Sequence, residues 1–244
     1  MGECAAVNTE RLINGLEALK IPYDQRAIER FIQFHDILDE YNQHMDLTAV
    51  LEEEERVDRH DLDSVAILAH VAIPQKARVI DVGTGAGFPG IPILILRPDL
   101  QMTLLDAQQK RCLFLEDALK RMELTATVVH ARAEDAGQSA EHREQYDFAL
   151  SRAVASAGVL AELMIPFLDI GGYAVAWKGP KGTGEQESAR RAAFLLGGAF
   201  EKLIPVQIPE REDWQHMFLV TKKVKNTPRM YPRKAGTPAK KPLA

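Results

Sequence analysis

Cysteine is scarce. The 244 residues hold two, Cys4 and Cys112, far apart and without metal-ligand spacing. This argues against a disulfide framework, and a reducing, cytoplasmic setting is expected. The seven histidines show no ligand spacing either, so no metal is expected. No apolar run approaches the roughly 20 residues that a membrane-spanning helix needs. The opening "MGECAAVNTE" lacks an apolar leader, and Ala6 stands where a myristoylation signal has Ser or Thr. The longest stretch without acids is at the C-terminus. Thr221 to Ala244 carries eight Lys or Arg and no Asp or Glu. The net charge of −5 therefore hides an acidic body and a basic tail. Such a tail is either a polyanion-binding arm or a solvated end that aids solubility.

What is present reads as one α/β domain, residues 1–225, followed by an extended basic tail, 226–244. Residues 1–74 form a helical extension. In "AIERFIQFHDILDEYNQHM", Ile28, Phe31, Ile32, Phe34, Ile37, Leu38 and Tyr41 recur at helical spacing. A later acidic helix start leads to a second apolar piece, which Asp63 or Ser64 could cap. His60, in "RHDLDS", reads as a structural residue at a helix start. From residue 75 the pattern changes. "ARVIDVG", "QMTLLDA", "TATVVHA", "YDFALSR" and "GGYAVAWKG" are short apolar runs separated by helical stretches. That alternation predicts a doubly wound, mostly parallel sheet covered on both faces. Two last strands, "FEKLIPVQIP" and "HMFLVTKKV", predict an antiparallel hairpin at one sheet edge. The tail has four prolines among its last 19 residues and no apolar period, so an extended arm is expected.

The chemistry concentrates in "VIDVGTGAGFPGIP", Val79 to Pro92. Two fingerprints overlap there. Gly85, Gly87 and Gly90 fit the dinucleotide pattern G-x-G-x-x-G. Asp81, Gly83, Gly85 and Gly87 fit D-x-G-x-G-x-G, which cradles S-adenosylmethionine (SAM). The loop follows a predicted strand and opens a helix, as a binding loop must. Asp106 lies 21 residues after Gly85, where a carboxylate can accept bonds from both ribose hydroxyls of either cofactor. Two features favour SAM. Asp81 stands before the glycines, where it could orient the loop and reach a ligand ammonium through water, but would repel a pyrophosphate. "RAED" after the third strand could present a carboxylate and a backbone amide to an adenine edge. Ser151 and Arg152 fall at the carboxyl edge of the sheet, where open α/β sheets bind ligands. Arg152 could hold the SAM carboxylate or a substrate phosphate as a fork of donors. Trp177 and Lys178 could stack on and ground a nucleotide. Lys110 and Arg111 open a helix beside the cleft and are either an RNA contact or its solvated face.

The run from Val79 to Leu124 resembles the core of the RsmG (GidB) family, the small-subunit ribosomal RNA guanine-N7 methyltransferases. The likeness continues in "YNQHMDLTAV", "RHDLDS", "RAED", "YDFALSRAVAS", "GGYAVAWKG" and "YPRKAGTPAKKPL". The resemblance implies a seven-stranded, Rossmann-like methyltransferase fold with added N-terminal helices. It implies SAM contacts at Gly83, Phe88, Ala133, Glu134 and Arg152, with Arg152 as the catalytic candidate. Its substrate would be one guanine in 16S rRNA of the small ribosomal subunit. RNA contacts are expected at Lys110, Arg111, Lys178, Arg229, Arg233 and Lys234, and the protein is expected to be a monomer. Removing the tail should leave cofactor affinity intact, because the cleft is built before residue 180. The rival readings are an NAD-dependent oxidoreductase, for which no Tyr-Lys pair is evident near the fourth strand, and a non-enzymatic RNA-binding assembly factor.

Overall fold

A computed structural model describes residues 8–50, 52–152 and 155–243. Helices cover both faces of one seven-stranded sheet, giving three layers. The strands are β1 (Arg78–Val82), β2 (Gln101–Asp106), β3 (Thr127–His130), β4 (Tyr146–Ser151), β5 (Leu168–Lys178), β6 (Gly198–Ile208) and β7 (Arg211–Lys223). Their order is β3-β2-β1-β4-β5-β7-β6. The first five are parallel; β7 runs antiparallel between β5 and the edge strand β6. Val79 to Val82 are all buried, as a central parallel strand with helices on both faces requires. The chain reverses its winding between β1 and β4, which opens a crevice at their carboxyl ends.

The helices are α1 (Thr9–Ala18), α2 (Gln25–Asn42), α3 (Glu53–Arg56), α4 (Asp63–Val65), α5 (Ile67–His70), α6 (Gly90–Leu96), α7 (Gln109–Arg121), α8 (Ala133–Ala136), α9 (Ala157–Met164), α10 (Gln186–Leu195) and α11 (Thr237–Lys240). Asp24 caps α2 by accepting a bond from the Ala27 N–H at 2.8 Å. Its apolar stripe, with Ile28, Phe31, Phe34, Ile37 and Leu38 buried, shares one core with β1, α6 and α7. The N-terminal helices are thus part of the main body. Between α3 and α4 the chain winds as a π-helix, Val57–Leu62. The helix continues through residue 63, so neither Asp63 nor Ser64 opens a new one. Asp63 instead turns to His216 and Arg152.

The tail departs from the expected extended arm. Residues 226–243 lie against the body as a strap. Arg143 donates to the carbonyl oxygens of Tyr231 and Thr227, both at 2.7 Å. The Gln138 amide reaches the Pro232 carbonyl at 2.8 Å, and the Glu144 carboxylate accepts from the Thr227 N–H at 2.7 Å. The Arg233 guanidinium forks onto Glu162, a carboxylate with 0% exposure in α9. Tyr231 is buried. A charge count registers the strap's cations, but the acid that captures one of them lies 71 residues away.

Candidate active site

The loop after β1 is built by its glycines. Gly83, Gly85 and Gly87 have φ of 73°, 60° and 93°, where side chains are strained. They divide into two roles. A Cβ on Gly83 would meet nothing within 4 Å, and on Gly85 only the Arg111 guanidinium at 3.9 Å. A Cβ on Gly87 would strike Ile91, and one on Gly90 would strike Leu104 and Asp81. The first two glycines therefore face open room, and the last two let α6 pack onto the sheet.

Asp81 lies beneath the loop with 0% exposure. Its Oδ2 accepts from the Thr84 hydroxyl at 2.7 Å and the Gly90 N–H at 2.9 Å, while its buried Oδ1 has no bonding partner among the described residues. Burial pushes this carboxyl up to about 6, against the pull of those two bonds. Asp81 orients the loop, as the sequence suggests; its depth places it away from solvent. Asp106, at the end of β2, is also buried. It accepts from the Gly85 N–H at 3.0 Å and the Gln108 N–H at 2.8 Å. Each of its oxygens keeps one acceptor direction beyond those bonds. The Leu105 carbonyl accepts from the Gly83 N–H at 2.8 Å, which fixes the loop to β2. Open room above Gly83 and Gly85, rimmed by a carboxylate, fits the ribose and amino-acid parts of SAM.

Arg152 stands at the end of β4. Its guanidinium lies 5.1 Å from the centre of the Phe88 ring. It donates to the Arg59 carbonyl, to Ser64 Oγ at 3.3 Å and to Asp63 Oδ2 at 3.5 Å. The ring of Phe88 also stacks on His60, with centroids 4.5 Å apart. His60 Nε2 bonds the Thr48 hydroxyl at 2.7 Å. Burial, then the Arg152 charge, push its imidazole down to about 3. The expected helix-start residue is thus a neutral ring in the site. Phe88 is held among aromatic neighbours and is itself buried.

On the β4–β5 side opens a cavity of about 860 Å³. Arg59, His60, Asp63, Arg152, Trp177 and His216 are among its walls. The Trp177 indole donates to the Asp63 carbonyl at 3.0 Å. Asp63 Oδ1 meets His216 Nδ1 at 3.0 Å. No residue of the glycine loop lines this cavity. Arg152, on the cavity wall, reaches the glycine loop through the Phe88 ring.

The other expected site residues fall in three places. Arg111 Nη1 stands 3.7 Å from Asp106, at the glycine loop, while Lys110 is exposed beside it. Ala133 and Glu134 open α8 beyond β3, and Glu134 Oε1 accepts from the Gly236 N–H at 2.8 Å. Lys178 is occupied by Glu185 at 2.8 Å and the Ala155 carbonyl at 2.7 Å. Arg229 and Lys234 are exposed on the strap, whereas Arg233 is bound to Glu162. Sequence reasoning missed Arg59, Asp63, His216 and Trp214, whose ring lies 4.9 Å from the Arg59 guanidinium and 5.3 Å from that of Arg211. One signal was available: "VDRHDLDS" sets three acids within apolar surroundings, and all three, Asp58, Asp61 and Asp63, are buried.

The strand order and the site together define a class, the Rossmann-like methyltransferases. Solved structures of low identity share the fold. TYW2 of M. jannaschii in complex with AdoMet aligns with a TM-score of 0.53 at 14% identity, over 67% of this chain and 76% of that one. TrmN from Thermus thermophilus aligns at 0.53 and 16%, over 67% and 49%. The [4+2]-cyclase SpnF aligns nearly as well, at 0.52 and 14%, over 84% and 98%, so the fold alone does not name the reaction. Closer relatives are more specific. The family model described as rRNA small subunit methyltransferase G matches residues 27–212. The Ribosomal RNA small subunit methyltransferase G of Alkaliphilus oremlandii is 44% identical over 233 residues, covering 95% of this chain and 97% of that protein. That of Desulforamulus reducens is 46% identical over 215 residues, covering 88% and 89%. The chain belongs to the rRNA small subunit methyltransferase G family.

Proposed function

We propose that the protein transfers a methyl group from SAM to N7 of a guanine in the 16S rRNA of the small ribosomal subunit, acting as a monomer in the cytoplasm. The observation that carries this reading is a pair of spaces: open room over Gly83 and Gly85 rimmed by Asp106, and a cavity of about 860 Å³ with Arg152 on its wall. One suits a cofactor and the other an acceptor base. Among the described residues, no helix is long and apolar enough to cross a membrane.

Bound SAM supplies an electrophilic methyl group on a sulfonium. Guanine N7 carries an in-plane lone pair, so its attack needs no general base. The buried, neutral His60 suits a packing role beside Phe88. The chain's contribution is alignment, which can supply up to roughly 7–11 kcal/mol where geometry is good. Gly83, Gly85 and Asp106 hold the cofactor. Arg152, over the Phe88 ring and on the cavity wall, orients both reactants. Ala133 and Glu134 face the adenine. Lys110, Arg229 and Lys234 are the cations best placed to meet phosphates; Arg59, Arg111, Lys178 and Arg233 already have protein partners.

The NAD reading weakens on one detail. The second glycine of the dinucleotide pattern, Gly87, faces Ile91 and Leu115 where a pyrophosphate would need space. Titration calorimetry should give SAM binding and no NAD binding. Labelled SAM with protein-free 16S rRNA and with small subunits should yield N7-methylguanine. Tighter binding of NAD, or label at another atom, overturns the proposal.

A further inference from the structure

The strap passes the place where the cofactor's adenine is expected. From Asn226 it runs from the amino edge of the sheet, beside Glu144, to the carboxyl edge, beside Glu134. It grips α8 at both ends. The Pro232 ring lies against Gly137, where an added Cβ would come within 3.0 Å of Pro232 Cγ. Four residues on, the Gly236 N–H donates to Glu134 Oε1 at 2.8 Å. Farther along, a Cβ on Gly158 in α9 would collide with the Leu243 carbonyl. α8 has four residues, one turn. A single turn does not sustain itself in water, so its position depends on what it packs against. The strap is held independently of α8, by Arg233 on Glu162 and by the Arg143 bonds to its carbonyls.

We propose that the strap is a built part of the cofactor site, in which Gly236 acts as a positioning residue that fixes Glu134 and α8, so that SAM binding and strap docking reinforce each other. This rests on the reading that Ala133 and Glu134 contact SAM. It reverses the expectation that the tail is irrelevant to cofactor affinity. Because the coupling is a property of binding free energies, it is reciprocal: whatever the strap adds to SAM affinity, SAM adds to strap docking.

A chain ending at Ala235 separates this role from general stability. It keeps Tyr231, Pro232 and the Arg233–Glu162 fork, and loses the bond to Glu134 together with α11 and the Leu243 contact on α9. Calorimetry with SAM should show the dissociation constant rising about fivefold to tenfold, the lower part of the range for coupling between linked sites. Thermal melting without SAM registers the lost α9 contacts, and SAM should raise the melting temperature of the shortened chain less than that of the full chain. The full chain provides the second measurement. Saturating SAM should slow hydrogen exchange at the Gly236 amide while leaving exchange in α2 unchanged. Equal SAM affinity in the shortened and full chains overturns the coupling, as does a Gly236 amide indifferent to SAM. Either result leaves the methyltransferase reading standing. A full chain that binds no SAM sinks both.

Discussion

Arg152 and His60 lie on the same phenylalanine and carry opposite electrostatic instructions. Arg152 is a half-buried cation near Asp63, 3.5 Å away, and its guanidinium stands over Phe88. Arg152→Ala should cut methyl transfer by orders of magnitude and lower stability far less. Arg152→Lys should restore activity only in part, because the planar fork is lost. A lysine variant turning over at the full rate, or an alanine variant that is unfolded by circular dichroism, removes Arg152 from the reaction. His60 must stay neutral. With a native value near 3 against the ordinary 6.5, the folded protein refuses a proton that the unfolded chain accepts. Its contribution is complete above pH 6.5 and drains as pH falls toward 3, by at most about 1.4 kcal/mol per pH unit. Asp81 acts in the opposite sense. Raised from 3.8 to about 6, it favours the fold at low pH and withdraws that support as pH rises from 3.8 to 6. Urea unfolding at steps from pH 8 to 4 should therefore show a shallower loss for His60→Gln than for the native protein. Parallel curves would mean that His60 does not govern the acid limb.

Among the elements, the strap depends most on one contact. Glu162 is fully buried and its carboxylate takes both Nε and Nη2 of Arg233, at 2.8 and 2.6 Å. Arg233→Ala would leave that charge without its partner, a change that costs about 3–5 kcal/mol when a buried pair is broken. Arg233→Lys should lose less, since a cation remains. Denaturant melts decide it: a loss within about 0.5 kcal/mol, the range of neutral surface substitutions, would mean that the strap is not anchored there. The π-helical turn is a second tied element. Asp58 on it pairs with Arg11 of α1 at 2.8 Å and with Arg211 of β7 at 2.6 Å. Asp61 on the same turn pairs with His35 of α2 at 2.8 Å. The wide turn thus joins the N-terminal helices to the β6–β7 hairpin and holds His60 at the site between them.

At the scale of the whole molecule, an acidic protein has to meet a polyanion. Placement of the free cations matters more than net charge. Lys110 is exposed beside the glycine loop and Lys234 on the strap, whereas Arg59 at the cavity is taken by Glu55 at 2.6 Å. If Lys110 and Lys234 each meet one phosphate, Lys110→Ala and Lys234→Ala should each flatten the slope of log affinity for rRNA against log salt by about 0.7. Lys178→Ala should leave that slope unchanged, because Glu185 already takes its charge. Filter binding across a salt series checks all three. The opposite ranking would return RNA recognition to the residues that the structure shows as paired.

Much of this protein follows from local rules. Apolar runs of strand length, alternating with helical periods, predict the five parallel strands and the final hairpin, since each pattern depends only on which face a residue presents. The glycine loop and Asp106 are legible for the same reason: positive φ calls for glycine, and a strand end delivers its last side chain to the crevice. Tertiary structure alone decided the rest. The docking of the tail, the commitment of Lys178, the buried acids of the π-helical turn and the cavity beside Trp177 all depend on pairs distant in sequence. His216 meets Asp63 across 153 positions, and Arg11 meets Asp58 across 47. A charged side chain carries no local mark of its fate. Whether it is solvated, buried or bound to a ligand is set by the partner that folding brings to it, because an ion leaves water only where another group replaces its hydration.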